Sequence, residues 1–221
     1  MSSIATRSNT DVLRLCSLSC RYLCKSGHFN LSRDIEHLGI EILSLNDVGA
    51  PKMHIEENGN SPLDNAKIKA LAYYDVLKMP VFSCDSGLYI DGLDDKRQPG
   101  INVRGQGDYM DDNKTIRYYS TLAAEFGGSM TARYQNAICL IFNEAQVYEY
   151  MGEDIASERF LLVSKPHEKR VKVMGFPLDC LSVQIESGKY YYDIDGYSDK
   201  YLNVHDGFVA FFKRVLEENE L

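Results

Sequence analysis

Residues 61–91 read SPLDNAKIKALAYYDVLKMPVFSCDSGLYID, and this stretch decides the fold. Ser61-Pro62-Leu63-Asp64 is a helix start: a capping serine, a proline in the first turn and an acid at the third position. Leu63, Ala66, Ala70, Tyr74 and Leu77 then recur at helical spacing as one apolar stripe. Asn65 and Lys69, four residues apart, lie together just off its edge. Lys78-Met79-Pro80 ends the helix, and Val81–Cys84 reads as a buried strand. Asp85-Ser86-Gly87 reads as a turn into a second short strand, Leu88–Asp91.

Working outward, a short helix over Asn30–His37 is closed by Leu38-Gly39, with a strand over Ile40–Leu43 behind it. A helix near Asn113–Phe126 stops at Gly127-Gly128. Strands follow at Arg133–Phe142, Gln146–Met151, Phe160–Ser164, Leu181–Glu186 and Lys189–Asp193. A final amphipathic helix, Asp206–Glu218, turns Phe208, Phe211, Phe212 and Val215 inward. Helices interleaved with strands, some in hairpins, imply an α/β domain built on a mixed sheet.

Composition divides the chain near residue 30. Residues 1–30 hold four basic residues against one acid, a charge of +3, and three of the six cysteines; the rest carries −11 of the total −8. We therefore expect a divergent N-terminal segment over 1–30 and one domain over 31–221. Arg14 and Arg21 break the apolar run that a secretory signal needs. The Cys16, Cys20 and Cys24 spacing matches no common zinc or iron–sulfur pattern, so free thiols of a reducing, cytoplasmic compartment are expected. No apolar run approaches the length of a membrane span, and an acidic body argues against a nucleic-acid polymer as partner.

The densest chemistry lies between Glu57 and Arg104. A carboxylate before a glycine (Glu57), a helix lysine (Lys69) and Asp85-Ser86-Gly87 at a strand end could together hold Mg²⁺ and a phosphate chain. Taken singly, each has a plain alternative: a solvated turn acid, a surface lysine, an Asx-turn acid.

These residues are similar to those of the inosine triphosphate pyrophosphatase, or Ham1, family. Glu57-Asn58-Gly59, Asp64-Asn65-Ala66 with Lys69-Ala70, Cys84-Asp85-Ser86-Gly87-Leu88 and Pro99-Gly100 follow its motifs, without gaps from Glu57 to Leu88. The resemblance implies an elongated mixed sheet flanked by helices, two lobes with a central cleft, and a homodimer. It implies Mg²⁺-aided hydrolysis of nucleoside triphosphates, nonstandard purine nucleotides among them, to monophosphate and pyrophosphate, clearing them from the nucleotide pool. Glu57 and Asp85 would hold the metal, and Asp85 would also orient or deprotonate water. Lys69 would meet the triphosphate, Ser86 the substrate near the reacting phosphate, and Asn65 would join them as a substrate contact.

Further substrate contacts implied are Arg104, Phe176, Asp179, Lys200 and His205. Each has a second reading: a surface salt bridge for Arg104, a core aromatic for Phe176, a helix-capping or surface role for His205. Gly175-Phe176-Pro177-Leu178-Asp179 stands where the family has G-F-G-Y-D. Asp199-Lys200 and His205-Asp206 echo its E-K and H-R pairs. The family's phosphate-gripping [ST]-x-N-x-x-K loop should fall near residues 24–27, where the chain has Cys24-Lys25-Ser26-Gly27. That departure leaves an alternative to the enzyme, a catalytically weak nucleotide-binding or interaction protein, and the acidic body leaves a third reading, a homodimeric scaffold without a nucleotide ligand.

Overall fold

The computed structural model describes residues 13–18, 35, 37–105, 109–168, 176–194 and 202–220. Among the described residues, seven strands form one mixed sheet: β1 (Leu13–Leu18), β2 (Ile40–Ser44), β3 (Val81–Ile90), β4 (Ser129–Asn143), β5 (Gln146–Tyr150), β6 (Phe160–Val163) and β7 (Ser182–Gln184). The order is β2-β1-β3-β4-β6-β7, with β5 also on β4. β1 runs parallel to both β2 and β3, and the remaining pairs are antiparallel. Helices α1 (Pro62–Leu77), α2 (Asp112–Glu125) and α3 (Leu202–Glu218) cover the sheet. The α/β class and mixed sheet agree with the sequence reading.

β4 is long enough to divide the molecule. On its outer edge β5 pairs with Ile138–Asn143, whereas β6 pairs with Ser129–Ala132. One face of the sheet carries two apolar clusters accordingly. Phe82, Cys84, Ile138 and Leu140 pack against Phe208, Phe211, Phe212 and Val215 of α3. Leu88, Ile90, Met130 and Ala132 pack against Tyr119 and Leu122 of α2, together with Leu178 and Leu181. The opposite face receives α1, whose Ala66 and Ala70 lie on Cys139 and Ile141. Alternation along each strand enforces this division: even-numbered β3 residues face α2 and α3, and odd-numbered ones face α1.

The helix start at Ser61 is as the sequence predicts. Ser61 Oγ accepts from the Asp64 amide at 3.1 Å, and Lys78 closes the helix at φ 50°. The stripe is rotated, however: Tyr73, not Tyr74, is buried, and so is Asn65, expected at the edge.

Three expectations are corrected. Asp85-Ser86-Gly87 is not a turn, because β3 runs unbroken beside β4 from Val81↔Ile141 to Ile90↔Ala132. Ten consecutive cross-strand pairs outweigh the local turn preference of Asp-Ser-Gly. Gly87 supplies space instead, since a Cβ there would lie 3.1 Å from both Pro62 Cγ and the Gly100 carbonyl carbon. The boundary at residue 30 does not separate a leader from the domain, because β1 sits inside the sheet with Leu15 and Cys16 fully buried. Burial pushes the Cys16 thiol up to about 11 and that of Cys139 up to about 12, leaving both unreactive at neutral pH. Finally, Lys189–Asp193 is not a strand; only Tyr190 bridges to Val183, and a 3-10 turn follows over Tyr191–Asp193. Most of the helix expected over 30–37 lies outside the described residues, although Gly39 at φ 76° does close the turn before β2.

Candidate active site

β1 pairs with β3 only as far as Ser83, and the next partner on that edge is Gly100, bridged to Leu88. Among the described residues, Cys84–Gly87 thus face an uncovered stretch of strand edge, just past the carboxyl end of β1. Ligands of open α/β sheets sit in such places.

Asp85 points from this stretch toward α1. Lys69, two turns into α1, reaches it: Lys69 Nζ donates to Asp85 Oδ1 at 3.0 Å and to Glu57 Oε2 at 3.0 Å. The lysine and aspartate side chains are 17% and 19% exposed, whereas Glu57 is 44% exposed. Burial raises the Asp85 carboxyl above its ordinary value; the Lys69 charge and hydrogen bonds from Lys69 and Asn65 offset this only in part. Burial also pulls the Lys69 ammonium down, but Asp85 and Glu57 together outweigh it and hold the ammonium above its usual value. The trio is therefore a charged lysine between two carboxylates, one of them partly buried and with raised proton affinity.

Asn65 builds the trio. It is 3% exposed; its Oδ1 accepts from the Gly59 amide at 2.9 Å, and its side chain also hydrogen-bonds the Asp85 carboxylate. One amide thus pins the turn carrying Glu57 and the strand carrying Asp85 to the first turn of α1, and its polar groups are engaged within the protein. Gly59 is there for room: a Cβ would come within 2.5 Å of Asp64 Cβ and 2.8 Å of Asn65 Oδ1. Gly59→Ala should therefore cost about 1–3 kcal/mol of stability in a urea melt and move Glu57 off Lys69. An unchanged midpoint would show that the turn has space to spare.

The other expected residues are spread differently. Ser86, next to Asp85, points to the opposite face, where its hydroxyl donates to Asn136 Oδ1 at 2.7 Å. Its side chain is thus not on the same face as Lys69 and Asp85. Arg104 is engaged with Asp112 at 2.6 Å, at the start of α2, and stacks over Tyr109. Phe176 and Asp179 flank Leu178 of the α2 cluster, where burial and, after it, the Asp179 carboxylate push the Tyr192 phenol up. His205 lies in the first turn of α3, 12% exposed and 3.7 Å from the Asp206 carboxylate. Phe176–Asp179 thus adjoins the α2 cluster through Leu178, and His205 adjoins the α3 cluster through its neighbour Val204. Lys200 lies outside the described residues.

Asn136 was missed in the sequence. The available signal was a polar residue at an inward position of a strand whose next inward residues, Ile138 and Leu140, are apolar.

Among the described residues no group of three or more His, Cys, Asp or Glu forms a metal-binding cluster. Two carboxylate oxygens converging on one cationic nitrogen are the donor set that Mg²⁺ uses when it arrives with phosphates, because it keeps most of its shell as water and phosphate oxygen.

Residues 28–156, more than half of the chain, match the Ham1 family. The dITP/XTP pyrophosphatase of Halalkalibacterium halodurans is 36% identical over 116 residues, 52% of this chain and 58% of that protein. That of Malacoplasma penetrans is 33% identical over 105 residues, 45% of this chain and 50% of that protein. The chain thus spans about half the length of the curated relatives it matches. Among solved structures, a HAM1 protein from Coxiella burnetii shares the fold with a TM-score of 0.66, over 93% of this chain and 99% of that one, at 21% identity. The matched span contains Glu57, Lys69, Asp85, Ser86 and Asn136; Phe176, Asp179, Lys200 and His205 lie beyond it.

Proposed function

The chain belongs to the Ham1 family, and from that premise we propose that it hydrolyses nucleoside triphosphates, nonstandard purine nucleotides among them, to the monophosphate and pyrophosphate with Mg²⁺. The observation that carries this reading is the convergence of Glu57 and Asp85 on Lys69, just past the carboxyl end of β1. The names of the relatives, dITP/XTP pyrophosphatases, support the substrate class.

Charge explains the parts required. Two carboxylates and one ammonium sum to −1, which repels a triphosphate. Lys69 can exchange its carboxylate partners for phosphate oxygens, and Glu57 and Asp85 are then left to hold Mg²⁺. The metal would neutralise phosphate charge and polarise the reacting phosphorus. Asp85 orients the attacking water and accepts its proton, a task suited to a buried carboxylate with raised proton affinity. Positioning and charge neutralisation are what phosphoryl chemistry asks of a protein. The same reading makes the enzyme a cytoplasmic homodimer that removes such nucleotides from the pool.

The test is pyrophosphate release over a panel of nucleoside triphosphates, ITP, dITP and XTP included, with and without Mg²⁺. Turnover that needs the metal is expected; none across the panel with Mg²⁺ or Mn²⁺ would sink the enzymatic reading. Cys24-Lys25-Ser26-Gly27, in place of the family's phosphate-gripping loop, favours a second reading, a nucleotide-binding protein with little turnover. Binding without hydrolysis in the same panel would support it.

A further inference from the structure

Asn136 stands where β4 passes from one apolar cluster to the other. Toward one end, Ile138 and Leu140 meet α3; toward the other, Ala132 and Met130 meet the α2 cluster. Asn136 itself is 3% exposed, and a buried amide needs its hydrogen bonds. Its Nδ2 donates to the Ile155 carbonyl at 2.7 Å, and its Oδ1 accepts from the Ser86 hydroxyl at 2.7 Å.

The two amide ends are not interchangeable. A backbone carbonyl only accepts, so the NH₂ group must face Ile155 and the oxygen must face Ser86. The carbonyl is itself held firmly. Ile155 is fully buried against α3, and Gly207 of α3 lets the neighbouring Asp154 backbone come so close that a Cβ would sit 2.4 Å from its oxygen. A serine hydroxyl carries one proton. With that proton committed to Asn136, Ser86 offers a ligand lone pairs alone, and a phosphate oxygen has no proton to give them.

We propose that Asn136 is a positioning residue that fixes the Ser86 hydroxyl as a hydrogen-bond acceptor for an N–H or O–H group on the nucleoside part of the substrate. This rests on the nucleotide reading above and deepens it. Asp85 and Ser86, neighbours on one strand, address the two ends of one substrate from opposite faces of the sheet. The phosphates meet Lys69 and the carboxylates on the α1 face. The nucleoside meets Ser86 between the clusters of α2 and α3, whose Leu178 and Val204 are chain neighbours of Asp179 and His205.

Calorimetric titration in Mg²⁺ tests this with two probes: the ITP analogue bearing a methylene between the α and β phosphorus atoms, and inorganic tripolyphosphate, which has phosphates and no nucleoside. Ser86→Ala and Asn136→Ala should each weaken the nucleotide analogue about 3- to 10-fold and leave tripolyphosphate unchanged. The double variant should lose little more than either single one, because the two act as a unit. A purely structural Asn136 would weaken both probes alike or neither. Equal weakening of tripolyphosphate would overturn the proposal, as would an Asn136→Ala protein that binds the analogue normally while Ser86→Ala does not. Should the alanine variant fail to fold, Asn136→Ser, too short to bridge both partners, takes its place. The 2′-deoxy analogue tests one donor: if the 2′-hydroxyl is the donor, Ser86→Ala no longer weakens it, and if the 3′-hydroxyl or a base N–H is, the loss persists. Wild-type binding without turnover would sink the enzymatic reading and leave this one standing, turnover without binding of the analogue would sink this one alone, and neither binding nor turnover would sink both.

Discussion

Asp85→Asn is expected to lower pyrophosphate release by about 10³-fold or more while leaving the protein folded. The substitution changes charge and proton affinity with almost no change of shape. The amide oxygen of asparagine can still accept from Lys69 Nζ, which donates to Asp85 Oδ1 at 3.0 Å. What disappears is the carboxylate that would share Mg²⁺ with Glu57 and take a proton from water. A phosphate-release assay coupled to a pyrophosphatase measures the loss, and a thermal melt checks the fold. A variant within tenfold of wild type would mean that Asp85 is neither the base nor an essential metal ligand.

The site was legible in the sequence wherever one helix and one strand sufficed to build it. The Ser61 cap sets the start of α1, and from that start Lys69 falls on the side that looks along β3, so the spacing of Lys69 and Asp85 carried real geometry. Glu57 came with them through its motif. What the sequence hid depends on pairing over long separations. Asp-Ser-Gly has turn chemistry locally, yet the partner that extends it, Gln135 to Ala137, lies about 50 residues away. Leu13–Leu18 read as part of a basic leader because the composition of residues 1–30 is basic and cysteine-rich. In the fold Arg14 pairs with Glu41 on the neighbouring strand, and Leu15 and Cys16 just after it are buried on opposite faces.

Polar residues were harder to read for a related reason: their partners are set by tertiary contacts. Asn65 is held by Gly59 and Asp85, and Arg104, read either as a substrate contact or as a salt bridge, pairs with Asp112. Asn136, which the spacing did not single out, proves to be the buried polar partner of Ser86. Strand alternation then turns one short motif into two stations, because consecutive residues of β3 cannot face the same way. That gives the Asp85-Ser86 pair a meaning that no turn would have had.

Lys69→Met supplies the second large effect, and it separates the lysine's two tasks. Without its ammonium, Asp85 is a carboxylate with 19% of its side chain exposed and no cation beside it, while Glu57, more exposed, can turn to water. Stability in a urea melt should fall by about 2–3 kcal/mol, toward the low end for breaking a buried pair because solvent still reaches it. Adding Asp85→Asn should restore most of that loss, since the methionine then faces a neutral amide and no charge is left unpaired. Catalysis should not follow. The kcat/KM of Lys69→Met should drop about 10²-fold through lost contact with phosphate. The double variant, with its stability regained, should be less active still, because it also lacks the carboxylate. Recovered stability without recovered activity would assign the ammonium to the triphosphate as well as to the fold. A Lys69→Met enzyme that keeps kcat/KM within threefold of wild type would confine the lysine to holding Asp85 in place.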